Sequence, residues 1–136
     1  MKPHEQAKRK IVAEWLHKAD ADFDLASHLL AEGALFPGAI AFHSQQAAEK
    51  YLKAFLALRQ VAFPKTHDLQ ELLDLIESVD GDLAASMRDV IILTPHGVEA
   101  RYPADRPDAT PEEAREAVEL AGKLRDSVRN RLEGIQ

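Results

Sequence analysis

Pro37–Arg59, PGAIAFHSQQAAEKYLKAFLALR, decides how the rest of the chain is arranged. On a helix turning about 100° per residue, Ile40, Ala41, Ala47, Ala48, Tyr51, Leu52, Phe55 and Leu58 fall on one broad arc. An arc that wide needs neighbours on more than one side, so the spacing predicts the central helix of a bundle, with apolar surface left over for a dimer contact. The opposite arc carries His43, Gln46, Glu49, Lys50 and Lys53 at i, i+3, i+6, i+7 and i+10, a single polar stripe of mixed donors and acceptors. The search for a functional site starts on that stripe.

Upstream, from about Gln6 to Ala31, helical spacing of Val12, Trp15, Leu16, Ala19, Phe23, Ala26, Leu29 and Leu30 predicts a first long helix. Gly33 supplies its stop, and Pro37 suits the first turn of the next helix because its missing N–H has no intrahelical partner there. A connection this short predicts antiparallel packing. Downstream, Thr66 or Asp68 can cap a third helix with Leu69, Leu72, Leu73 and Ile76 inside, and Glu71 is placed to complete a capping box with Asp68. After the Asp80-Gly81 turn, Leu83, Met87, Val90 and Ile91 predict a modest fourth helix ending near Pro95. Thr94 to Ala109, TPHGVEARYPADRPDA, is Pro-rich and lacks apolar periodicity, so it reads as an extended loop. Thr110-Pro111-Glu112-Glu113 is a strong helix start, followed by Ala114, Ala117, Val118, Ala121, Leu124, Val128 and Leu132 on one face. The expected fold is all-α: an antiparallel up-and-down four-helix bundle with a short extra helix, forming a single domain over residues 1–136.

Composition bounds the function. The chain has no cysteine, which excludes disulfides, thiolate metal sites and a cysteine nucleophile, and fits a cytoplasmic protein. The N-terminus lacks the apolar run of a signal or a membrane span. A net charge of -6 argues against wrapping nucleic acid by bulk electrostatics, although a local basic patch can still meet a phosphate. His17 and His28 lie eleven residues apart, about 16 Å at 1.5 Å per residue, too far to share an ion. Neither H-x-x-x-H nor paired E-x-x-H occurs, and no metal site is expected. Glycine-loop phosphate motifs are absent too.

Nucleotide binding would therefore need side chains. The candidates are His43, Gln46, Lys50 and Lys53 on the stripe, Lys65 and His67 from the next turn, and Arg101 and Tyr102 from the long loop. Lys and Arg bring charge to a phosphate, Gln and His can read a base or ribose edge, and Tyr offers a stacking face. A plainer account of the same residues is an i, i+4 pair between Glu49 and Lys53 on a solvated face, with Thr66 and Asp68 acting only as caps and Arg101 pinning a loop.

The run Ala41-Phe42-His43-Ser44-Gln45-Gln46-Ala47-Ala48-Glu49-Lys50-Tyr51-Leu52-Lys53-Ala54-Phe55-Leu56, the segment Phe63-Pro64-Lys65-Thr66-His67-Asp68-Leu69 and Arg101-Tyr102-Pro103 strongly resemble the HEPN domain family. The likeness spans nearly the whole chain. It implies a small antiparallel helical bundle that usually dimerises and is often encoded beside, or fused to, a minimal nucleotidyltransferase. It also implies binding of a nucleotide such as ATP or GTP, or a place in an RNA-targeting toxin–antitoxin system.

One feature departs from the ribonuclease members of that wider superfamily, which carry an Arg and a His separated by four to six residues near the last helix. Here Arg59 with His67 and Arg88 with His96 are each separated by seven residues, and no His follows Arg106. Without that acid/base partner little route is left to cleavage through a ribose 2′-hydroxyl. The sequence is accordingly read as a non-catalytic, nucleotide-binding partner of a nucleotidyltransferase, with an atypical ribonuclease and a purely structural adaptor as the alternatives.

Overall fold

The computed structural model describes residues 2–97 and 109–133. Among them the chain is all-α, with helices α1 (Pro3–Ala31), α2 (Pro37–Leu58), α3 (Leu69–Glu77), α4 (Gly81–Ser86) and α5 (Pro111–Glu133), and a 3₁₀ segment over Arg88–Gly97 between α4 and α5. None of these helices is long and apolar enough to cross a membrane.

Helix α1 starts at Pro3, earlier than the apolar spacing indicates, because proline at the first position fixes φ where its missing N–H costs nothing. It ends at a left-handed step, Gly33 at φ +104° followed by Ala34 at φ +57°. The two helices that this turn joins run antiparallel, since Trp15 meets Lys53 and Asp20 meets Tyr51. Helix α5 runs parallel to α2 and antiparallel to α1. Arg129 and Tyr51 share Asp20 at one level, while Ala114, Ile40 and Ala26 share a core cluster at the other.

The apolar arc of α2 is the centre of the core. Ile40, Ala41, Ala47, Ala48, Tyr51, Leu52 and Phe55 have no exposed surface, each large side chain contributing about 1.5–3 kcal/mol by leaving water. The surplus apolar surface expected on this helix is therefore consumed within the chain by α1, α3 and α5. The exposed large apolar groups lie elsewhere: Ile11 and Leu25 on α1, Leu35 and Phe36 at the turn, and Ile92 on the 3₁₀ segment.

The expected fourth helix divides in two. Met87, Val90 and Leu93 recur every third residue and are all buried, which suits the three residues per turn of a 3₁₀ helix rather than 3.6. That segment carries Thr94–Gly97 with Pro95 inside it, where an extended loop was expected; the rest of the loop lies outside the described residues. Asp68 caps α3 through Gln70 N–H, but its own N–H goes to Thr66 Oγ1, so Glu71 closes no box there. The Thr110–Glu113 box does form, with Glu113 N–H on Thr110 Oγ1 and Thr110 N–H on Glu113 Oε1.

Candidate functional site

The polar stripe of α2 faces protein, not open solvent. Arg59 ends the helix and Gln60, at φ +58°, turns the chain back. Val61 N–H reaches Leu56 O at 2.9 Å and Gln60 N–H reaches Ala57 O at 3.1 Å. This left-handed closure sends residues 61–67 along the stripe, where they cover Glu49 and Lys53. On the opposite flank α1 supplies Asp20 and Asp22.

Two carboxylates divide the stripe between them. Asp22, on α1, accepts from His43 Nδ1 at 2.9 Å and from Lys50 Nζ, all three groups being less than a quarter exposed. Glu49, only 4% exposed, is the second hub. Its Oε2 accepts from Lys53 Nζ at 3.0 Å, and its Oε1 accepts from His67 Nδ1 at 2.8 Å and Gln45 Nε2 at 3.3 Å. Gln45 is fully buried and also donates to the His67 carbonyl at 3.3 Å, while its own oxygen accepts from Gln46 Nε2 at 2.7 Å. Lys53 sits over Trp15 and Phe63, 5.5 and 5.9 Å from their ring centres, and the two rings meet edge to face. The i, i+4 pair of Glu49 and Lys53 thus exists, but buried rather than on a solvated face.

Of the residues singled out from sequence, Lys53 and His67 converge on Glu49, Gln46 reaches it only through Gln45, and His43 and Lys50 converge on Asp22. Lys65 is exposed and pairs with no carboxylate among the described residues. Arg101 and Tyr102 lie outside the described residues. The organising carboxylates were not among the site residues expected, nor was Gln45. The turn provides the missing signal: Trp15 and Lys53 each stand nineteen residues from Ala34, so folding the α1–α2 hairpin symmetrically about that residue brings the acids of α1 to the cations of α2.

His67 differs from its neighbours in accessibility. Its side chain is 73% exposed, although the Glu49 carboxylate that grips it is only 5% exposed. An ionised carboxylate can only accept, so Nδ1 carries the hydrogen it donates to Glu49, and the far ring nitrogen Nε2 is left for solvent or a ligand. Among the described residues no group of three acidic or histidine side chains is placed to hold a metal ion.

A third polar contact lies beside these two. Tyr51 donates to Asp20 Oδ1 at 2.5 Å, and Arg129 from α5 reaches Asp20 Oδ2. Burial, then the hydrogen bond to Asp20 and its charge, push the Tyr51 phenol far above its ordinary value against the opposing charges of Arg125 and Arg129. Tyr51 is thereby held neutral as a pin between three helices.

The family model described as HEPN domain matches residues 12–131. A protein of Thermus thermophilus whose crystal structure is known is 26% identical with a TM-score of 0.69, over 88% of this chain and 96% of the other. The crystal structure of an archaeal HEPN homologue is 22% identical with a TM-score of 0.66, again over 88% of this chain and 96% of the other, a likeness of fold. No curated protein matches the chain.

Proposed function

The chain belongs to the HEPN domain family, and on that premise we propose that it is a non-catalytic nucleotide-binding protein, the partner of a minimal nucleotidyltransferase in a toxin–antitoxin-like pair. The observation that supports this most is the surface beside α3. There an exposed imidazole is held in place by a buried carboxylate, and Lys65, two residues away, is an exposed cation that pairs with no carboxylate among the described residues. Hydrogen bonding to a nucleoside and charge for its phosphates are available on one short segment. The proposal includes a cytoplasmic homodimer, in which Leu35 and Phe36, 71% and 61% exposed, are apolar surface that association would cover. Calorimetric titration with ATP and GTP, of the chain alone and with the transferase encoded beside it, tests the reading. Saturable binding and a stable complex are expected; no binding and no complex would remove it.

An atypical ribonuclease is the competing function, and the Glu49–His67 pair is what favours it, because a carboxylate-held imidazole is a suitable general base for a ribose hydroxyl. Incubation with total RNA and tRNA, beside His67→Ala and Arg101→Ala variants, separates the two. Cleavage lost in both variants would establish the enzyme; intact RNA supports the binding protein. A purely structural adaptor would bind neither nucleotide nor RNA.

A further inference from the structure

We propose that Glu49 is the positioning residue of a ribose-recognising imidazole: by keeping the hydrogen of His67 on Nδ1, it makes the outward Nε2 a hydrogen-bond acceptor matched to the hydroxyls of a ribonucleoside. The inference rests on the nucleotide-binding reading above and narrows it to one contact.

Glu49 does not need His67 for its own stability. Its charge is matched by Lys53 at 3.0 Å, and Gln45 already donates to Oε1. His67, conversely, gains little burial from the contact, since its ring stays 73% exposed while giving up its rotamer freedom. Both ends of the residue are nonetheless held from the same buried pair: the imidazole by Glu49, and the carbonyl by Gln45 at 3.3 Å. Gln45 is held in turn by Gln46, and Gly97 stands close enough beside it that an added methyl group would come within 2.9 Å of the Gln45 amide. The result is one ring nitrogen presented outward, with the hydrogen on the other held by Glu49.

That state selects the ligand. A bare Nε2 accepts a hydrogen bond and repels a phosphate oxygen, so it suits a ribose hydroxyl, and Lys65 is the group suited to the phosphates. Glu49→Gln reverses the arrangement. The amide oxygen must face Lys53, which can only donate, so the NH₂ faces His67 Nδ1 and drives the hydrogen to Nε2.

Two measurements decide the matter. Long-range ¹H–¹⁵N NMR of the imidazoles, with the His67 signals identified by their loss in His67→Ala, is expected to show hydrogen on Nδ1 and a bare Nε2; hydrogen on Nε2, or an even mixture, overturns the inference. Calorimetry with ATP and with 2′,3′-dideoxy-ATP is expected to show at least tenfold weaker binding of the dideoxy compound to the wild-type chain, and a reduced difference for Glu49→Gln. Equal affinity of the wild type for the two nucleotides overturns this inference alone and leaves nucleotide binding standing. Failure of both nucleotides to bind overturns the two readings together.

Discussion

Gly97 lies so close to Gln45 that a methyl group on the glycine would stand 2.9 Å from Gln45 Cδ, 3.0 Å from Oε1 and 3.1 Å from Nε2. The last residue of the 3₁₀ segment is thus a wall against which the buried amide is set, and through that amide the Glu49–His67 contact. Gly97→Ala must push Gln45 away from hydrogen bonds to Glu49, Gln46 and the His67 carbonyl. A loss of about 1 to 2 kcal/mol is expected, with a broadened His67 imidazole signal. Urea unfolding and NMR of the variant check it.

Lys53 and Glu49 form a buried ion pair, so removing one partner strands the other. Lys53→Met should cost about 3 kcal/mol, the low end for such pairs, because Glu49 keeps His67 and Gln45. The Lys53→Met, Glu49→Met double variant should be more stable than Lys53→Met alone, since no charge is then left buried. A double-mutant cycle by chemical denaturation measures the coupling directly.

Tyr51 sets the alkaline limit of the fold. Its phenol is raised above the ordinary 10.0 by burial and by Asp20, so the folded state holds that proton more tightly than the unfolded one. The associated stability is fully present below pH 10 and falls as pH rises above it. Tyr51→Phe should lower stability at neutral pH by about 1 to 2 kcal/mol through the lost hydrogen bond, and should flatten the decline above pH 10. Thermal melts of both proteins across that range are the measurement.

Asp80 acts at the acid end. Burial opposes its ionisation, but the Arg131 hydrogen bond, the Leu83 N–H and the charges of Arg131 and Arg59 together hold its carboxyl below the ordinary 3.8. Such a group stabilises the fold above its ordinary value, and the contribution is lost as pH falls through the lower folded one. Asp80 joins the start of α4 to Arg131 near the end of α5 at 2.7 Å. Asp80→Asn should melt lower than the wild type at neutral pH, with the gap closing below about pH 4.

Much of the fold is legible in the sequence because helix faces are local. Leu69, Leu72, Leu73 and Ile76 announce α3, and all four are fully buried; Thr110, Pro111 and Glu113 announce α5. The 3₁₀ segment was hidden because Met87, Val90 and Leu93 also pass for sparse α-helical spacing until their period of three is noticed. The candidate site was only half legible. His43, Lys50 and Lys53 on α2 stand out as a stripe, but whether they face water depends on Asp22, 21 and 28 positions away from His43 and Lys50, and on the left-handed turn at Gln60, a residue that carries no glycine signal.

The central claim is that ligand binding resides at the imidazole gripped by Glu49 and not along the polar stripe of α2. Calorimetric titration of ATP into the wild type and into His67→Ala, each with a ligand-free thermal melt, tests it most directly. The account predicts saturable binding to the wild type, at least tenfold weaker binding to His67→Ala, and nearly unchanged melting, because the lost ring is mostly exposed. Equal ATP affinity in the two proteins would contradict it.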